Sequence, residues 1–130
     1  MKTETALIFW GGWEGHTPRE LSELLADKLR AESIEPRLEN SMEVLGDKAL
    51  LAEYDVIIPM WTAGELNGEH WKNLDEIVRS GRGFAGIHGG MCDAFRAQIQ
   101  YQWMCGGQFV GHPFVGKYNV SLTPAGRDHE

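Results

Sequence analysis

Two unbroken apolar runs constrain this chain more than anything else in it. Ala6 to Trp10 and Val56 to Met60 contain no polar side chain, and a continuous apolar strand suits a parallel sheet covered on both faces. Between and after them lie amphipathic stretches. Thr17-Pro18-Arg19-Glu20 reads as a helix start, with Thr as cap, Pro in the first helical position and Glu20 completing a capping box. Leu21, Leu24, Leu25 and Leu29 follow at helical spacing and form one apolar stripe to lay on the sheet. Asn67 to Ser80 reads as a second helix, with Trp71, Leu74, Ile77 and Val78 inward and Gly81 as its stop. Strands alternating with helices predict an α/β fold: a doubly wound, three-layer parallel sheet in the flavodoxin-like order 2-1-3-4.

The remaining segments fill in that scheme. Thr5 to Trp10 is the first strand, and the polar run Glu35 to Glu39 suits a strand at the sheet edge. Leu45 to Tyr54 reads as a short helix leading into the strand Asp55 to Met60. Gly83 to His88 reads as a central strand, so Ile57, Ile58, Phe84, Ala85 and Ile87 are expected to be nearly fully buried. Met91 to Cys105 reads as one helix with Phe95, Ile99 and Trp103 on its inner face, broken by Gly106-Gly107. After an extended piece from Gln108 to Pro113, alternation around Tyr118, Val120 and Leu122 predicts a last strand over Lys117 to Thr123. Without a repeat, linker or low-complexity tract, residues 1–130 read as one domain.

Charge narrows the partners. A net charge of −7, from 19 acidic and 12 basic residues, lacks the basic footprint that nucleic acid or an anionic membrane requires. A small neutral or polar ligand fits better, and a last segment, Lys117 to Leu122, with no further strand to cover its edge or apolar face predicts a homo-oligomer. The five tryptophans suit either a packed core or a ring-binding cleft. The run Ala6 to Trp10 is too short for a signal-peptide core or a membrane span, so a cytoplasmic protein is expected. Cys92 and Cys105 fall on one predicted helix, roughly 20 Å apart at ~1.5 Å per residue, and read as reduced core thiols.

The chemistry gathers at strand ends. Gly83-Phe84-Ala85-Gly86-Ile87-His88-Gly89-Gly90 has the form of a nucleophile elbow with His88 at the bend in place of Ser or Cys. In the predicted fold the loops 11–17, 61–66 and 88–93 open on one crevice, where ligands of such sheets bind. They bring Trp13, Glu14 and His16 from the first loop, Trp61, Thr62 and Glu65 from the second, and His88 and Asp93 from the third, with His112 joining them. His88 and His16 are candidates for general acid and base work, because an ordinary imidazole pKa near ~6.5 suits proton transfer at neutral pH. His16, His88 and His112 are also candidate ligands for a divalent transition metal, a weaker reading than proton transfer because their spacing matches no local metal motif. The tryptophans could stack on a sugar ring. A phosphate site at Gly11-Gly12 is disfavoured, since no Walker lysine is present and Glu14 would repel the anion.

Three motifs in order carry a family likeness. Gly-Gly-x-x-x-His-x-Pro follows the first strand, Gly-x-Ala-Gly-Ile-His-Gly precedes the central helix, and Gly-Gly-x-Phe-x-Gly-His-Pro follows it. Together they resemble the ThuA-like (trehalose utilisation) family, a branch of the class I glutamine amidotransferase-like superfamily, over Ala6 to about Leu122. The resemblance implies a role in carbohydrate metabolism: hydrolysis or elimination on trehalose-like disaccharides or their keto derivatives, in concert with a sugar dehydrogenase. Glutaminase activity is not implied, because the elbow of glutamine amidotransferases holds Cys where this chain has His88, and Cys92 is not at the elbow. It also implies a domain that continues past Asp128-His129-Glu130, so that this chain lacks the C-terminal part of the crevice wall. The alternative is a non-catalytic module binding a sugar or a partner enzyme on the same fold.

Overall fold

Burial of the two apolar runs decides the architecture. In the computed structural model, which describes residues 4–128, strand β1 (Glu4–Gly12) pairs in parallel with β3 (Val56–Thr62), from Ala6 opposite Val56 to Gly12 opposite Thr62. Strand β2 (Ile34–Glu39) pairs with the other side of β1, and β4 (Gly83–Phe84) with the other side of β3. The order is β2-β1-β3-β4, all parallel, as the alternation predicted.

Strand alternation then sorts the core into two faces. Ala6, Ile8, Ile58 and Met60 meet helix α1 (Pro18–Ala31), where Ala26, Leu25 and Leu29 pack on them. Leu7, Phe9 and Ile57 face the other way. They are covered by helices α2 (Lys48–Leu51), α3 (Gly68–Arg79) and α5 (Ile99–Cys105) through Leu51, Leu74, Ile77 and Tyr101. Two one-turn helices, α4 (Gly89–Cys92) and α6 (Pro124–Arg127), complete the described chain. The start of α3 is capped as its sequence suggests, the Asn67 side-chain oxygen accepting from the His70 N–H at 2.8 Å. Among the described residues no helix is long and apolar enough to cross a membrane.

Several expectations are corrected. The Leu21/Leu24 stripe does not face the sheet: Leu21 is 36% and Leu24 53% exposed, while Pro18, Ser22 and Ala26 form the buried line. Small residues at that spacing let the helix lie close, and Ser22 satisfies itself by donating to the Pro18 carbonyl at 2.6 Å. Thr17 precedes the helix in a left-handed conformation, φ 44°, and makes no side-chain cap, so the capping box does not form. Leu45 to Tyr54 is a 3₁₀ turn (Met42–Gly46) followed by the single turn of α2.

The segment Gly83 to His88 is not a central strand. Only Gly83 and Phe84 join the ladder, at the sheet edge; Phe84 is half-buried, Ala85 exposed and Ile87 52% exposed. Ile57 and Ile58 are buried as expected. The predicted helix Met91 to Cys105 is two helices, because Ala94 forms a parallel bridge to Ala63 and Phe95 takes φ 48°. Gln102 then donates to the Ala94 and Phe95 carbonyls at 2.9 and 3.2 Å, which turns Tyr101 inward and leaves Ile99 and Trp103 exposed. The cysteines therefore do not share a helix. Lys117 to Thr123 forms no strand and is exposed throughout.

These burials separate two variants cleanly. Ile57→Ala is expected to cost ~2–5 kcal/mol of unfolding free energy, as for a fully buried aliphatic residue. Leu24→Ala is expected to stay within about 0.5 kcal/mol. Urea denaturation of both measures the contrast, and equal losses would place α1 in a different rotation about its axis.

Candidate functional site

Parallel pairing brings the carboxyl ends of β1, β3 and β4 to one edge, and each contributes a turn that only its own residues permit. At the end of β1 the Trp13 N–H donates to the Thr62 carbonyl at 3.2 Å. A Cβ on Gly12 would lie 2.1 Å from that same oxygen, and φ is 83° there, so the close approach requires glycine. A 3₁₀ turn, Glu14–His16, then carries His16 back over β3. Its Nδ1 lies 2.8 Å from the hydroxyl of Thr62, which is itself buried. That bond fixes the ring and leaves Nε2 as the nitrogen available to a ligand.

The third turn holds His88 at φ 50° and ψ −139°. A side-chain-bearing residue in such a conformation costs ~1–3 kcal/mol and persists only where its surroundings impose it. The Met91 and Cys92 N–H groups donate to its carbonyl at 3.2 and 2.9 Å, which opens α4 immediately after the bend. Gly89 is buried against the His16 ring, where a Cβ would stand 2.6 Å from Cε1. The two imidazoles therefore meet edge to face, their centroids 5.2 Å apart at 73°. Trp13 stands against the other side of His16 at 4.7 Å and 70°.

These rings form the base of a cleft of about 380 Å³. Its far wall is Phe109 and His112, with ring centroids 4.9 Å apart. The Phe109 N–H donates to the Cys92 carbonyl at 2.9 Å, and the Arg96 guanidinium lies 5.5 Å from the Phe109 ring centre. Arg96 also pairs with the Asp93 carboxylate, so the one acidic side chain lining the cleft among the described residues already has a cationic partner. Cys92 lines the cleft one helical turn after His88.

Of the residues expected in the crevice, Trp13, His16, His88, Asp93 and His112 come together, and Thr62 sits beneath His16. Glu14, Trp61 and Glu65 do not line the cleft; both glutamates are exposed. Trp61 lies on the opposite face of β3, its indole against Gly11 and Gly64, where added Cβ atoms would come within 2.6 and 2.7 Å of it. It packs on the core under α3 and α5, and its buried indole nitrogen has no hydrogen-bond partner among the described residues. Cys92 and Phe109 were not anticipated as lining residues. The signal for Phe109 was its place inside the third glycine motif, and for Cys92 its spacing of four from the elbow. Among the described residues no three His, Cys, Asp or Glu side chains are grouped to hold a metal ion. His16, His88 and His112 as placed do not make the three-donor centre a resident transition metal needs.

Beneath the elbow Tyr101 donates to the Met91 carbonyl at 3.1 Å, and burial first, then the neighbouring Cys105, pushes its phenol well above the usual range. Burial also pushes the Cys105 thiol up to about 11.

An open parallel sheet with a left-handed elbow and a ring-lined cleft at its carboxyl edge defines a doubly wound α/β protein. The family model ThuA, described as trehalose utilisation, matches residues 5–130, and the chain belongs to that family. No curated protein matches it. Among solved structures it is similar to a ThuA-like protein from Bacteroides uniformis ATCC 8492, with a TM-score of 0.64 at 16% identity over 81% of this chain. That similarity shows the fold. This chain spans 44% of the length of that protein.

Two outcomes follow from the packing around the imidazoles. Gly89→Ala is expected to displace the His16 ring and break its bond to Thr62, costing ~1–3 kcal/mol as an overpacked contact; the His16 ring resonances in NMR report the displacement, and an unmoved ring would contradict it. Separately, unfolding returns Cys105 to its ordinary pKa of 9.0. Above that pH the unfolded chain sheds a proton that the folded one keeps, so stability present below pH 9 is lost as pH rises towards about 11. Denaturation midpoints across this range should fall, and should fall less in Cys105→Ala.

Proposed function

We propose that the cleft binds one ring of a small sugar, a trehalose-like disaccharide or its keto derivative, and that His16 and His88 carry protons during cleavage of its glycosidic bond. The observation that carries this reading is the imidazole pair in edge contact at the base of an aromatic-walled cleft. Its volume of about 380 Å³ lies in the range of small-molecule sites. Trp13 and Phe109 line the cleft with aromatic surface suited to the apolar faces of a sugar.

A keto group makes the neighbouring C–H acidic, which lets a neutral imidazole start the reaction. One imidazole removes that proton, the electron pair becomes a C=C bond, and the glycosidic C–O bond at the β position breaks. The other imidazole, entering as imidazolium, gives its proton to the departing oxygen, so one proton is taken and one returned. Addition of water to the enone completes a net hydrolysis; without it the outcome is elimination. Such a substrate would be supplied by a sugar dehydrogenase.

Turnover of a panel of disaccharides and their keto forms tests the proposal. His88→Asn keeps size and hydrogen bonding but removes the titrating nitrogen, so it should fold normally and lose at least ~10²-fold in turnover. Undiminished turnover in that variant would exclude His88 from the chemistry. Binding of sugar without turnover of any of them would leave a sugar-binding module.

A further inference from the structure

The His16–His88 pair has a second side. Opposite the aromatic cleft lies another chamber, of about 140 Å³, which shares these two imidazoles with the cleft and no other lining residue. Its walls are Pro18, Leu21, Met60 and Ile87, with Thr62 beneath and Gly90 beside the pair. Met60 and Pro18 are buried, whereas Leu21 at 36% and Ile87 at 52% exposure form an open rim. We infer that this chamber receives an apolar group about the size of one six-membered ring, attached to the molecule held in the aromatic cleft. The inference rests on the proposed use of the cleft and adds a substrate class: a sugar joined to an apolar aglycone.

Size and polarity both support it. A cavity of about 150 Å³ lined by aliphatic side chains stays dry and holds benzene. This chamber is of nearly that volume, and its aliphatic walls give water few partners. The one side-chain hydroxyl facing it, on Thr62, lies 2.8 Å from His16 Nδ1 and is engaged there. A second sugar ring placed in it could reach the imidazole nitrogens on one side only and would set its remaining hydroxyls against aliphatic walls, a bias against polar occupants. An apolar ring that enters covers the exposed Leu21 and Ile87 from water and rests on the buried Met60. His88 is exposed at the top of the partition, so a ligand can reach both chambers by crossing its solvent edge, with the scissile bond beside the imidazoles. A disaccharide would keep its second ring outside.

Phenol is the probe, titrated into the 130-residue chain with labelled methyl groups and followed by NMR. Saturable shifts at Met60, Leu21 and Ile87 are expected. Ile87→Trp, which fills the chamber from its exposed rim, and Leu21→Asp, which puts a charge there, should each weaken phenol binding by about tenfold or more. Circular dichroism confirms that both variants are folded. Absence of saturable shifts at the methyls of these three residues, or shifts that survive both variants, overturns the inference. The chemistry is read separately. Turnover of keto-glycosides with phenyl aglycones should show a lower KM than with methyl aglycones, and Ile87→Trp should erase the difference. A chain that binds phenol in this way yet turns over no sugar sinks the proposed chemistry and leaves the apolar chamber standing.

Discussion

Everything at the candidate site depends on the parallel pairing of β1 with β3. Seven residue pairs, from Ala6–Val56 to Gly12–Thr62, hold the two strands in register. Because the strands are parallel, their carboxyl ends reach the same edge, and because both faces are buried, neither can slip by one residue without exchanging the side chains fitted to one helical layer for those fitted to the other. The last rung extends past the ladder, from the Trp13 N–H to the Thr62 carbonyl. That rung sets the position from which the chain turns to place His16 over the Thr62 hydroxyl. The imidazole is thus a consequence of sheet register, forty-six residues away from the threonine that orients it.

The same edge concentrates backbone strain. Thr17, Ala63, His88 and Phe95 all have positive φ, and all lie in the turns that close the strands or in the bend between α4 and α5. Each such residue costs free energy that the folded core must outweigh. What they achieve is reach: tight reversals that let the turns after β1 and β4 converge within ring-contact distance. Gly12 and Gly89 serve the same end by omission, since a Cβ at either would collide with Thr62 or with the His16 ring. Strain and missing side chains together hold two imidazoles in contact where ordinary turns would keep them apart.

How much of this the sequence discloses follows from where the information sits. The long strands are legible because continuous apolar runs carry their own signal, and the order 2-1-3-4 follows from alternation and handedness. Gly83 to His88 misleads because Phe84, Ala85 and Ile87 are as apolar as a core strand, yet they lie at the edge of the described sheet with only Gly83 and Phe84 in the ladder. The break in Met91 to Cys105 is a tertiary event, made by the Ala63–Ala94 bridge and by Gln102 anchoring two carbonyls, and no local periodicity encodes it. His16 and His88 are legible through the glycines beside them. Trp61 is a different case: a period of two from Ile57 already points it to the face away from His16, so alternation outweighs loop membership there.

For the glycosidic cleavage we propose, the carboxylates narrow which chemistry suits the cleft. Ordinary glycosidases place two carboxyl groups about 5–9.5 Å apart across the scissile bond, one as acid and one as base or nucleophile. Among the described residues the cleft presents only Asp93, and Arg96 holds its oxygen. Glu14 and Glu65 stand outside. The groups left facing a ligand are imidazoles and the Cys92 thiol, neutral groups that stabilise an oxocarbenium ion poorly. A bond that breaks by proton removal beside a ketone makes no such demand. The pairing of Asp93 with Arg96 thus supports a route in which the substrate, by its own carbonyl, supplies the electronic help that a second carboxylate would otherwise give.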